Sequence, residues 1–177
     1  MAPSDRYRGI YLSNSAVSKL TDESKKWAER KPIGIRFNPT DEVLAGVFLV
    51  GKVFGRTADS PVFQFFRDVN VYDYEPKNLS GLAHEFGEGK MYFFTTLNRK
   101  PSNGRTIIER TVRGSGCWKK TRKPLSINVM YNDENLSVAK TSLVFCEKNG
   151  AEEKNTNWLM KEYMLDLKIY ESLGMVV

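Results

Sequence analysis

The stretch GSGCWKKTRKPLSINVMY, residues 114–131, decides how the chain is expected to fold. Gly114-Ser115-Gly116 reads as a tight turn, since glycine reaches positive φ at no steric cost. Cys117 to Lys123 reads as a short strand or a loop, and PLSINVMY (124–131) as a strand. Working upstream, IIERTV (107–112) is a strand returning from the Asn103-Gly104 turn, and MYFFTT (91–96) is rich in aromatic residues and threonine that suit a pleated, half-buried surface. Downstream, SVAKTSLVFCEK (137–148) and NWLMKEYMLDL (157–167) flank a turn at Asn149-Gly150. About five antiparallel strands following helical segments predict an α+β, mainly β domain: one twisted antiparallel β-sheet flanked by a few helices.

The helical segments lie in the first half. Asn38-Pro39 favours an extended or turn conformation, and Thr40 is the expected N-cap. Asp41 and Glu42 place negative charge in the first turn, where the helix dipole favours it. Val43, Leu44, Val47, Phe48 and Val50 then supply an apolar face whose expected use is core packing. A second helix start is predicted at Asp59-Ser60-Pro61, running through 62–76, loosening into an extended turn near 69–74 and ending at Glu75-Pro76. Residues 1–32 read as an extension in which 13–30 form either an amphipathic helix or a partly ordered arm. The expected organisation is this extension, one domain over 33–168, and a short tail over 169–177.

Composition excludes several function classes. Two cysteines, Cys117 and Cys146, with no C-x-x-C pair, argue against a disulfide framework or a cysteine zinc site. A single histidine, His84, rules out a histidine-rich metal centre and weakens any nucleophile-and-base proposal. Gly87-Glu88-Gly89 lacks the third glycine of a dinucleotide fingerprint. The expectation is therefore a non-enzyme with no metal, no cofactor and no small-molecule substrate. No apolar run approaches the roughly 18–20 residues of a membrane span, and the opening MAPSDRYRGIYL has no signal-peptide core. A moderately basic, intracellular protein without a membrane segment is expected.

The charge is unevenly placed. The chain carries 27 Lys+Arg and 21 Asp+Glu, a net +6. Arg99, Lys100, Arg105, Arg110, Arg113, Lys119, Lys120, Arg122 and Lys123 stand against Glu109 alone between 99 and 123, a local +8, so the rest of the chain sums to −2. Charge alone leaves open a nucleic acid, an acidic protein, a membrane surface or a merely solvated face. Were 119–123 fully extended, Lys119, Thr121 and Lys123 would point one way and Lys120 with Arg122 the other, so that one row faces bases and the other reaches phosphates. Trp118 is expected to anchor the strand to the core rather than stack on a base. Arg99, Lys100 and Arg105 bracket the Asn-Gly turn as phosphate clamps, which position a protein without reading sequence.

Several blocks together resemble the NAC domain of plant transcription factors. Gly34-Ile35-Arg36-Phe37-Asn38-Pro39-Thr40-Asp41-Glu42-Val43-Leu44 is similar to that family's G-F-R-F-H-P-T-D-E-E-L. Asp68-Val69 with Val71-Tyr72 and Glu75-Pro76 resembles its D-V-Y…E-P block, and Met91-Tyr92-Phe93-Phe94 its W-Y-F-F. Arg99-Lys100 with Asn103-Gly104 resembles R-K-Y-P-N-G, and Gly114 to Lys119 resembles G-S-G-Y-W-K. Lys140 to Phe145 and Thr156 to Tyr163 resemble K-x-L-V-F and T-N-W-I-M-H-E-Y. The resemblance spans roughly 33–166.

It implies a nuclear protein that binds double-stranded DNA sequence-specifically in the regulation of transcription, a sheet edge entering the major groove in a WRKY-like mode. Lys119 and Thr121 fall on the family's groove-inserting W-K-A-T-G segment, and Arg99, Lys100 and Arg110 on backbone-contacting positions. The opening block, Gly34, Ile35, Arg36 and Phe37, is implied to dimerise, making homo- or heterodimers with NAC-type proteins. Three positions depart from the family. Val43 stands where the salt-bridging Glu is usual, and Lys120 and Arg122 replace an alanine and a glycine, so an altered recognition sequence is expected. Family members usually continue into a long regulatory region, whereas KIYESLGMVV is short. The alternative expectation is thus a protein-interaction module that heterodimerises with, or competes against, longer relatives while specific DNA recognition is weakened.

Overall fold

The computed structural model describes residues 7–13, 37–56, 63, 65–83, 89–96, 98–102, 105–112 and 114–173; for 7–13, 99–102 and 105–106 the description is of the backbone. Its ten strands are β1 Tyr7–Ser13, β2 Arg67–Asp68, β3 Lys90–Thr96, β4 Arg99–Ser102, β5 Arg105–Ile108, β6 Thr111–Val112, β7 Gly116–Lys120, β8 Leu125–Tyr131, β9 Glu134–Asn149 and β10 Glu152–Leu165. The main sheet runs β2-β3-β1-β10-β9-β7-β6, with β8 also paired to β9, while β4 and β5 form a separate two-stranded sheet. All pairings except the short β2–β3 contact are antiparallel. The expected α+β, mainly β architecture is what the chain adopts.

Two tight turns organise the long strands. Asn132 and Asp133 both have positive φ, 47° and 63°, which makes a two-residue hairpin whose twist matches its strands. At the other end of β9, Gly150 (φ 62°) turns the chain into β10. Along β9, Leu136 and Val138 point to one core cluster while Leu143 and Phe145 point to another, as period-2 alternation requires. The first cluster lies under the opening helix, with Phe48, Phe66, Tyr92, Phe94, Tyr163 and Tyr170. The second lies on the opposite face, under the 3-10 turns Val71–Asp73 and Pro76–Gly81, and holds Tyr72, Leu79, Met91, Phe93 and Trp118.

The opening helix starts at Asp41, with the Thr40 hydroxyl accepting from the Val43 amide at 3.4 Å as expected of an N-cap. It continues as a π-helical segment, Leu44–Leu49, before closing as Val50–Val53. This wider winding shifts the expected packing face: Leu44, Phe48, Leu49, Val50 and Val53 are buried, whereas Val43 and Val47 are 38% and 52% exposed. Asp41 pins the helix to the sheet by accepting from Tyr163 Oη at 2.6 Å and from Lys140 Nζ. Burial alone would raise this carboxyl; the hydrogen bonds from Lys140 and Tyr163 outweigh it and hold it below its ordinary value. A depressed carboxyl contributes stability that is complete above its unfolded value of about 3.9 and is lost as pH falls through the lower folded value. Asp41→Asn should therefore lower stability at neutral pH and remove part of the acid-induced fall below about pH 4, read from urea midpoints across that range.

Other expectations meet local exceptions. The helix start at 59–61 lies outside the described residues, but from Arg67 onward the chain is strand and 3-10 turn rather than helix. Val69 donates to Phe94 O at 2.9 Å and Val71 to the Thr95 hydroxyl at 3.1 Å, so the backbone is committed to β3. The stretch 107–112 is two strands, broken at Glu109-Arg110. Residues 7–13 are a strand between β3 and β10, so the sheet takes in part of the expected extension; most of 13–30 lies outside the described residues. The expected boundary at 168 falls within the closing helix, Leu167–Ser172, whose Tyr170 is buried and accepts from the Leu165 amide.

Candidate nucleic-acid interface

β7 and β8 lie end to end along the same side of β9. The last β7 rung is Lys120↔Leu143 and the first β8 rung is Leu125↔Lys140. Residues 121–124 on one side therefore face only 141–142 on the other, and the surplus backbone is displaced from the ladder as a bulge. Thr121 marks where the ladder stops: its amide and hydroxyl both donate to Ser142 O, at 3.0 and 3.2 Å. Arg122 Nε donates to Ser142 Oγ at 3.3 Å. Residues 119–126 are all exposed, so a bulge carrying Arg122 and Lys123 stands out from the sheet beside β9, next to Lys119 and Lys120 at the end of β7.

The extended alternation expected through Lys123 holds only as far as Lys120. Lys119 lies on the face of Val144, and Lys120 on the face of Trp118. Trp118 is buried against Phe145, with ring centroids 5.2 Å apart, and serves as the core anchor expected of it. The Lys119 ammonium pairs with Glu153 on β10, which also receives Lys148 at 3.3 Å. The Lys119 hydrogen bond, joined by Lys148, holds the Glu153 carboxyl below its ordinary value. Such a solvent-exposed pair is weak, so a phosphate can displace it. Lys120 and Lys123 have no ion-pair partner among the described residues.

The strand leading to the loop is held from below. Gly116 approaches β9 so closely that an added Cβ would sit 2.0 Å from Cys146 O. The Trp118 amide donates to Arg110 O at 2.9 Å. The Arg110 side chain turns inward, with Nη2 donating to Glu162 Oε1 at 2.6 Å and Nε to Oε2 at 3.2 Å. Tyr72 Oη donates to Glu162 Oε2 at 2.8 Å. Glu162 is 1% exposed and the Arg110 side chain 12%. Burial would lower the guanidinium's pKa, but the Glu162 carboxylate more than offsets it and raises it. Arg110, expected among the backbone-contacting cations, has its guanidinium paired with this buried carboxylate. Nothing in the local sequence singles out Glu162 as its partner.

Arg99, Lys100 and Arg105 lie on the β4–β5 hairpin, paired in the register Arg99↔Ile108, Lys100↔Ile107 and Ser102↔Arg105. The Asn103-Gly104 turn and Arg113 lie outside the described residues. So do Gly34, Ile35 and Arg36 of the opening block. Phe37 packs its ring edge-on against Tyr92 and Phe48, at 5.3 and 5.9 Å between centroids.

Residues 32–165 match the family described as No apical meristem (NAM) protein, a match that takes in the opening helix, the basic loop and every strand of the sheet except β1. Over 134 residues the chain is 37% identical to NAC domain-containing protein 72 of Arabidopsis thaliana, covering 76% of this chain and 42% of that protein. It is 36% identical over 138 residues to NAC domain-containing protein 58 of Oryza sativa subsp. japonica, covering 76% and 33%. A third relative, Transcription factor JUNGBRUNNEN 1 of Arabidopsis thaliana, is 33% identical over 134 residues, covering 75% and 45%. The chain belongs to the NAC-domain family, and the matched part spans less than half the length of each of these relatives.

Proposed function

We propose that this chain binds double-stranded DNA sequence-specifically in the regulation of transcription, with the loop at 119–124 entering the major groove. The observation that carries the reading is the two-residue mismatch opposite 141–142, which bulges Arg122 and Lys123 out of the ladder next to Lys119 and Lys120 at the end of β7, on a chain of this family. A major groove about 12 Å wide admits such a strand and its neighbour. Lys119, Lys120 and Thr121, with Arg122 and Lys123, are assigned to the groove, and Arg99, Lys100, Arg105 and Arg113 to phosphates. Nuclear localisation and a non-catalytic role follow from the same reading.

Dimerisation through Gly34, Ile35, Arg36 and Phe37, with itself or another NAC-type protein, is part of the proposal. Val43 is exposed where the family's acidic partner of that arginine is usual, so charge complementarity has to come from elsewhere or from a different partner. This exposed valine, with Lys120 and Arg122 in the reading loop, favours a second reading: a heterodimerising competitor with weakened specific recognition.

Titration of variants against a preferred and a random duplex separates the assigned roles. Lys119→Ala and Thr121→Ala should narrow the gap between the two duplexes. Arg99→Ala and Lys100→Ala should weaken binding to both and lower the slope of log K against log salt by about 0.9 per contact. Equal losses on both duplexes for all four variants contradict the base-reading assignment.

A further inference from the structure

A second group of cations lies outside the 99–123 stretch and comes together only in the folded sheet. Lys161 on β10 is the register partner of Ser142 on β9 and of Tyr11 on β1. Lys140 lies two residues before Ser142 on β9, on the same face, and Lys90 opens β3 opposite Ser13 of β1. This is the face that carries the opening helix, and Lys90 and Lys140 flank that helix's start: Lys90 Nζ donates to Asn38 Oδ1 at 2.7 Å and Lys140 pairs with Asp41. Arg122 reaches the same ground through Ser142 Oγ.

Among the described residues, Lys90, Lys140, Lys161 and Arg122 thus gather around Asp41 on adjoining rungs. The half of this face beyond the helix is open, with Leu159 51% exposed and Val144 half-buried beside it. From β3 to β9 the row crosses three interstrand steps, roughly 14 Å, and then continues into the bulged loop. We propose that this open face is a second phosphate-binding surface, on which Lys161 and Lys90 hold the DNA backbone beside the groove entered by the loop. The surface rests on the DNA-binding reading above, and it extends that site across three more strands. Burial, and then the neighbouring charge of Lys140, lower the Lys161 ammonium's pKa, with Lys90 and Arg122 adding to the effect and Asp41 opposing it; a polyanion laid across the face relieves that repulsion. A duplex fits better than an acidic peptide because the positive row is continuous with a loop shaped for a groove.

The test is a salt titration of duplex binding with the whole chain. K161Q and K90Q should each reduce the slope of log K against log salt by about 0.9 and weaken preferred and random duplexes alike. K161R, which keeps the charge, should preserve the slope, and K168Q, which removes an exposed cation from the closing helix, should leave it unchanged. Thermal melting of each variant checks that the sheet is intact. A K161Q and K90Q slope equal to that of K168Q overturns the proposal, as does a loss confined to the preferred duplex with no change in slope. A wild-type chain that binds duplex without sequence preference, yet loses slope in K161Q, overturns specific recognition and supports the surface.

Discussion

Arg110→Ala is expected to destabilise the fold by about 3–5 kcal/mol, because it strands a carboxylate that has almost no access to water. Glu162 would keep its bond from Tyr72 but lose both guanidinium contacts, at 2.6 and 3.2 Å. Glu162→Ala should cost a similar amount by leaving Arg110 buried without its counter-charge. A double variant with apolar residues of similar size at both positions should recover most of the loss, since neither charge then has to be desolvated. Urea unfolding of the two single variants and the double variant measures this as a cycle. The same series bears on function, because Arg110 O holds the Trp118 amide immediately before the basic loop. Arg110 variants should weaken specific DNA binding while leaving the salt slope intact. A variant as stable as wild type, with a slope reduced by about 0.9, would return Arg110 to the phosphates.

Gly116→Ala should cost about 3 kcal/mol, at the upper end of the range for overpacking. The obstacle is the carbonyl oxygen of Cys146, at 2.0 Å from the new Cβ, and a β-ladder carbonyl cannot swing aside as a side chain can. β7 must move away from β9, loosening the rungs Gly116↔Glu147 and Cys117↔Cys146 and the packing of Trp118 on Phe145. Gly114 is the internal comparison. Its φ of +81° penalises alanine by about 1–2 kcal/mol, but nothing lies within 4 Å of the added Cβ, so the strand stays in place. Trp118 fluorescence and urea midpoints should separate the two: Gly116→Ala changes both, Gly114→Ala the midpoint alone. Equal effects would mean that close approach to Cys146 is not what requires glycine at 116.

These positions also mark where the sequence is legible. Strands β8 to β10 announce themselves through β-branched alternation and the Asn149-Gly150 turn, and Thr40 declares the helix start, because each signal acts within a few residues. The π-helical winding at Leu44–Leu49, a segment that packs on β1, β8 and β10, is announced by no local signal. Nor is the inward turn of Arg110, whose partner lies 52 residues away. The bulge at 121–124 follows from two rungs on β9 that no local pattern reveals. Counting charge along the chain finds the basic loop but misses Lys90, Lys140 and Lys161, which are separated by tens of residues and meet only across strands.

The displaced basic loop is proposed to read DNA. Selection of the purified chain on a pool of random duplexes at about 150 mM salt tests it most directly. The expected result is an enriched site bound in roughly the 10⁻⁸–10⁻¹¹ M range of specific complexes, with enrichment lost in Lys119→Ala and Thr121→Ala. A pool that emerges without enrichment, bound only at the nonspecific level of about 10⁻⁴–10⁻⁶ M, would contradict it.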